Sequence, residues 1–116
     1  MGNVQKYGLL ALKALLTLAF GFAGVSKLTG NPDMVAVFET IGWGQWFRSF
    51  AGVVEIGSAI LLWVPGLQWI GAGLLTATMA CAILFHIFVL GPSFVPALVL
   101  GILTAIVLFA HRPGRV

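Results

Sequence analysis

Charge is scarce in this sequence. It holds six Lys and Arg and three Asp and Glu in 116 residues, and 8% of its residues are charged. Soluble domains carry about 25%. Between Glu55 and Arg112 there is no Asp, Glu, Lys or Arg. A water-soluble domain of this size has no means of hiding the 60% of its residues that are apolar, so that class is excluded. The basic residues form no run and do not alternate with aromatics, which excludes a nucleic-acid footprint and makes the net charge of +3 a report on topology. Cysteine is nearly absent. Cys81 stands alone, so there is no internal disulfide and no CxxC redox or zinc motif. No haem-ligating pair, flavin motif or set of cluster cysteines is present, so the chain cannot move electrons without a partner or a bound cofactor. No internal repeat is visible, which argues against an inverted-repeat transporter within one chain.

Long apolar stretches dominate what is there. A helix rises 1.5 Å per residue, so about 20 residues cross the ~30 Å hydrocarbon core. Four stretches meet that length, at about 5–28, 46–64, 68–90 and 93–111, with breaks at Pro65-Gly66 and Gly91-Pro92. All four must be helices, because lipid offers no partners for unpaired backbone groups. The expected fold is all-α: one domain over 1–116, built as an integral membrane four-helix bundle. The first stretch is not expected to be a cleaved signal peptide. Lys13 interrupts it, and it exceeds the usual apolar length of such peptides. Position 6 is Lys6, so the myristoylation pattern fails after Gly2.

The one long connection follows the first stretch. Asn31-Pro32-Asp33 is a helix-start signal: a side-chain cap, a proline suited to the first turn, and an acid at the positive end of the dipole. Met34, Val37, Phe38 and Ile41 then share one stripe, with Asp33, Glu39 and Thr40 off it. This pattern predicts a short amphipathic helix at about 32–41, ending at Gly42 and lying in the membrane interface or over the mouth of the bundle. Trp43, Trp46 and Phe47 suit the aromatic belt on that side, and Trp63 and Trp69 the belt on the other. Four spans place both termini on one side. Lys6, Lys13, Arg112 and Arg115 lie there, against Lys27 and Arg48 opposite, so both termini are expected in the cytoplasm of a bacterial-type inner or plasma membrane.

Within the spans, spacing assigns faces. Lys13, Thr17, Phe20, Gly24 and Lys27 share one side of the first helix, and Gly21, Ala23 and Gly24 would admit a close neighbour. Arg48, Gly52, Glu55 and Ala59 share one side of the second, beside Ser58. Glu55 lies ~13 Å below the outer rim by helix rise, and His86 ~7 Å below the same rim. Lys27, Arg48, Glu55 and His86 therefore all fall in the outer half, as candidates for ligand binding or proton relay. Each has a plainer reading. Lys27 snorkels to the interface or serves a polar site inside the bundle. Glu55 is a structural tie to a cation, or a ligand or proton site, since intramembrane acids are often functional. His86 is a hydrogen-bonded helix contact or a proton partner of Glu55. Cys81 reads as a small buried residue, with a reactive thiol the lesser reading. No metal site is expected, because His111 belongs to the opposite end from Glu55 and His86.

The order of GFAGVSKLTG, MVAVFETIGWG, GVVEIGSAILLWVPG and MACAILFH along the chain resembles the DoxX family of small four-helix membrane proteins. The resemblance implies polar positions at Lys27, Glu55 and His86, and less firmly at Arg48. It also implies association with quinone-linked oxidoreductases, including a quinol oxidase complex, while distant members assist membrane-protein assembly. Three functions follow. The first is a small subunit or accessory of a redox system, binding a quinone or similar amphiphile beside Glu55, with a membrane oxidoreductase as partner. Lys27, Arg48 and His86 would donate hydrogen bonds there and Glu55 would relay protons. The second is a non-catalytic assembly or stabilising factor. The third is a proton-coupled small transporter working as a homo-oligomer. Small multidrug transporters carry their glutamate in the first helix and lack the long outer connection, which ranks this reading last.

Overall fold

A computed structural model describes residues 2–90 and 94–112. The described chain is all helix and turn. Its elements are α1 (Asn3–Leu28), α2 (Pro32–Ile41), α3 (Gln45–Leu61), α4 (Gln68–Phe85) and α5 (Val95–His111), with one π-helical turn, His86–Leu90, extending α4. The Gly91-Pro92 turn, the expected helix start at Ser93 and Arg115 lie outside the described residues.

Two elements are long and apolar enough to cross a membrane: α1, with 26 residues, and the continuous segment Gln68–Leu90, with 23. Helix α5 is apolar but has 17 residues. Helix α3 also has 17, so the expected span over 46–64 is helical only to Leu61. The cause is local. The residue before a proline is pushed out of the α region, and the chain tightens ahead of Pro65. Trp63 N–H donates to the Ile60 carbonyl and Val64 N–H to that of Leu61. Leu67 N–H then closes a turn onto Val64 across Pro65-Gly66, with Gly66 at φ 83°. That positive φ at the third turn position is where glycine is required.

The start of α2 follows its sequence signal. Asn31 Oδ1 accepts from the Asp33 N–H at 2.9 Å, and Pro32 occupies the first turn. Gly42, at φ 82°, ends the helix and donates to the Phe38 carbonyl, a left-handed cap. Phe38 is buried and Met34, Val37 and Ile41 are half-buried, whereas Asp33, Glu39 and Thr40 face outward.

Helix α1 packs on α3, α3 on α4 and α4 on α5, and α5 returns to α1. Two close backbone approaches set this arrangement. Gly24 of α1 and Gly52 of α3 face each other. A Cβ on Gly52 would stand 3.0 Å from the Gly24 carbonyl, and one on Gly24 would stand 3.1 Å from that of Gly52. Gly71 brings α4 equally close to α3, since a Cβ there would lie 2.5 Å from the Ser58 carbonyl. Of the three small residues expected to serve the α1 contact, Gly24 does so, while Gly21 meets no other element within 4 Å. Between the helices lies a core of Leu16, Phe20, Leu62, Ala72, Leu75 and Val107, all essentially inaccessible. A polar contact crosses it: the hydroxyls of Thr76 on α4 and Thr104 on α5 lie 3.0 Å apart. Helix α2 rests on α3 and on the π-helical turn, and touches α1, so it closes one end of the bundle.

Candidate functional site

Beneath α2 lies a cavity of about 260 Å³. It forms because α2 rests on the π-helical turn and on α3, leaving the wall of α4 from Thr78 to Phe85 to face an opening. Most of the lining is apolar. Met34, Val37, Phe38 and Ile41 come from α2, Phe47 from the first turn of α3, and Met79 and Phe85 from α4. Phe47 is the centre of the aromatic wall. Its ring meets Phe38 edge-on with centroids 5.6 Å apart, Phe85 at 6.0 Å and Trp43 at 5.0 Å. Of the belt read from Trp43, Trp46 and Phe47, Phe47 is also part of the wall of a cavity. Its partner Phe85 carries no distinguishing signal in an apolar run.

Three of the four polar residues singled out by sequence, Lys27, Glu55 and His86, line this cavity. Glu55 comes from the middle of α3, on the face that also buries Gly52, Ser58 and Ala59. Its side chain is 2% exposed. Lys27 reaches it from the last turn of α1, with Nζ 2.5 Å from Oε1 and the lysine side chain 15% exposed. Lys27 therefore turns inward instead of snorkelling outward. The second carboxylate oxygen, Oε2, is buried and has no hydrogen-bond partner among the described residues. His86 opens the π-helical turn. Its Nδ1 is likewise buried without a partner among the described residues, so Nδ1 makes no hydrogen-bonded helix contact of the kind the sequence suggested.

Arg48 stands outside the lining. Its guanidinium donates to the Lys27 backbone carbonyl, and its Nε donates to Gln45 Oε1 at 2.8 Å. The last carbonyls of a helix have no partner within it. Arg48 supplies one to α1 and so holds the turn that carries Lys27. Spacing puts Arg48 and Glu55 seven residues apart on α3, but the Arg48 guanidinium serves the end of α1 and makes no ion pair with the acid. Cys81 corrects the expectation of burial. It is exposed and lines the cavity, because α2 stands off from that face of α4. Among the described residues no three His, Cys, Asp or Glu side chains come together in a way that would hold a metal ion.

The arrangement is an ion pair on the floor of an apolar, aromatic-walled cavity, with one acceptor oxygen and one imidazole nitrogen unused. Burying such groups without partners costs about 1–3 kcal/mol each. It can bind a compact ring by stacking and hydrogen-bond a polar head, and it has acid and base groups to exchange a proton with that head. A search of curated proteins and a search of solved structures each gave no match. A family description does match, over residues 11–110, a range that includes every residue lining the cavity, and by it the chain belongs to the DoxX-like family.

Proposed function

We propose that this protein is a small integral membrane accessory of a redox system, and that it binds a quinone or similar amphiphile in the cavity beneath α2. In this reading all four long helices cross the bilayer, α2 lies in the outer interface, and both termini are cytoplasmic. Residence in lipid is supported by what the bundle leaves uncovered. Leu18 and Phe22 on α1, Phe88 beyond α4, and Ile102, Ile106 and Phe109 on α5 are all exposed. A soluble monomer rarely exposes apolar surface on this scale.

The observation that carries the binding reading is the unused hydrogen-bonding capacity of Glu55 and His86, two of the residues that line a mostly apolar cavity. An apolar cavity of roughly 150 Å³ takes up benzene, so 260 Å³ accommodates one substituted ring. A quinone would supply two-electron chemistry there. The chain's own residues would hold it: Lys27 and His86 as hydrogen-bond donors, Glu55 as the group that accepts or returns a proton, and the phenylalanines as the stacking wall. Electrons would come from a partner oxidoreductase.

The test is native mass spectrometry of gently extracted protein, with Cys81 as a built-in reporter of occupancy. Wild type should carry a small amphiphile that Glu55→Gln loses at equal folded yield, and an added short-chain quinone should slow alkylation of Cys81. A wild-type protein that carries no such molecule, and whose Cys81 reacts equally fast with and without quinone, would overturn the reading.

A second reading, an assembly or stabilising factor, is favoured by a separate observation. The Lys27–Glu55 pair and the Arg48–Lys27 carbonyl bond both join α1 to α3 beside the Gly24–Gly52 approach. In that case Glu55→Gln would lower stability, and a copurifying protein would persist in both samples with no small molecule in either.

A further inference from the structure

The unpartnered atoms restrict the chemistry of the cavity's occupant more tightly than its size does. Glu55 uses Oε1 for Lys27 and keeps Oε2 free, so the first unmet need is a donor pointing at a carboxylate oxygen. His86 Nδ1 is the second unmet atom, and a neutral imidazole nitrogen donates or accepts according to its tautomer. The Lys27 ammonium has three N–H donors, one of which the ion pair engages.

Candidate head groups can be tried against this set in turn. A bare carbonyl or ether only accepts, and it leaves Oε2 without a donor. A carboxylate or phosphate meets a like charge at Glu55. An ammonium satisfies Oε2 but stands beside the Lys27 ammonium, which lies 2.5 Å from the other oxygen of the same carboxylate. A hydroxyl donates once and accepts twice. It can give its proton to Oε2 and take a hydrogen bond from His86 or Lys27. The walls choose what carries that hydroxyl. Phe38, Phe47 and Phe85, with Met79 also in the lining, favour a flat ring.

We infer that the cavity selects a single-ring ligand bearing a hydroxyl, a phenol in the simplest case, over the same ring with that donor removed. The inference rests on the binding reading of the cavity and adds the class of ligand. Within that reading it makes the reduced, hydroxyl-bearing form of a quinone the preferred occupant and the quinone itself, which offers only carbonyl oxygens, the weaker one.

The experiment compares 4-ethylphenol with its methyl ether, 4-ethylanisole, on the full chain in lipid nanodiscs at matched concentration in the bilayer. Binding is read by protection of Cys81 from N-ethylmaleimide and, in parallel, by native mass spectrometry. A hydrogen bond to a charged group contributes about 1.5–3 kcal/mol, so the phenol should act at roughly tenfold or more lower concentration than the ether. Glu55→Gln offers an amide donor as well as an acceptor, and it should bring the two compounds together. Equal binding of phenol and ether to the wild type would overturn the inference while leaving the cavity a binding site, with a buried water as the partner of Oε2. Binding of neither compound would also overturn the inference, while the binding reading stands or falls on protection of Cys81 by the short-chain quinone. The wild-type comparison needs no variant, so a failure of Glu55→Gln to fold would not blunt it.

Discussion

At the scale of single residues, the Lys27–Glu55 pair governs both readings of the protein. Removing one member of a buried pair leaves the other uncompensated, at a cost of about 3–5 kcal/mol. The two members are not equivalent. Glu55 sits in the middle of α3 with its side chain 2% exposed, while Lys27 lies in the last turn of α1 and is 15% exposed. Without Glu55, the lysine can swing its ammonium to the membrane surface. Without Lys27, the carboxylate has nowhere to go. Lys27→Met should therefore lower the thermal midpoint more than Glu55→Gln does, and adding Glu55→Gln to Lys27→Met should restore part of the loss. Unfolding of the three variants in one detergent would check this. Simply additive losses would mean that the pair is not coupled. Sequence identified Lys27, Glu55 and His86 because each is an isolated polar group in an apolar run, and such groups are costly enough to be noticed. It could not identify Phe47 and Phe85 as the cavity's wall, since an aromatic in a membrane span is unremarkable. Nor could it tell that Arg48 serves the end of α1. Spacing fixes a residue's side of a helix but not the reach of a long side chain.

At the scale of elements, the bundle depends on where helix backbones can touch. A Cβ on Gly71 would lie 2.5 Å from the Ser58 carbonyl and 2.9 Å from the Leu61 Cβ, so α3 and α4 would have to separate. Gly71→Ala should destabilise by about 1–3 kcal/mol, the usual cost of overpacking. Gly21→Ala meets open space. It should be neutral or stabilising by up to about 1 kcal/mol, because alanine is the better helix former. Thermal unfolding of the two variants side by side provides the check. Equal destabilisation would contradict the packing described here. The contrast also marks what spacing can resolve. Gly21 and Gly24 looked equally suited to a contact in sequence, and the choice between them was made by Gly52 on a helix far along the chain. Helix limits were more legible, because their causes are local. Asn31-Pro32 and Gly42 bound α2 as expected. The end of α3 at Leu61 is marked only further on, by Pro65, and the π-helical turn at His86 has no comparable sequence mark.

At the scale of the whole molecule, the expected orientation rests on where Lys and Arg fall along the chain. Expected on the outer side are Lys27 and Arg48, and both are engaged. Lys27 is neutralised by Glu55, and Arg48 is held by the carbonyl of Lys27 and by Gln45. At the other end, Lys6 and Lys13 make no ion pair with any described residue, and Lys13 lies over the Trp63 ring at 5.1 Å from its centre. Trp63 in turn donates to Thr17 Oγ1 at 2.7 Å, tying the end of α3 to α1 near the expected inner face. The bias toward that face is the count of Lys and Arg, four against two, because acids contribute little to the rule, and positive charge in short flanking segments is retained in the cytoplasm. The bundle, 45 Å in its longest dimension, should therefore stand with α2 on the outer surface. Two measurements on intact cells check this together. A green fluorescent protein fused after Val116 should fold and fluoresce, which requires the cytoplasm. Glu39→Cys on the exposed face of α2, in a Cys81→Ala background, should react with a membrane-impermeant maleimide added outside. A dark fusion, with labelling of Glu39→Cys only after the membrane is opened, would invert the topology. It would also put the cavity, with its Lys27–Glu55 floor, on the cytoplasmic side, where its occupant would be drawn from the inner leaflet.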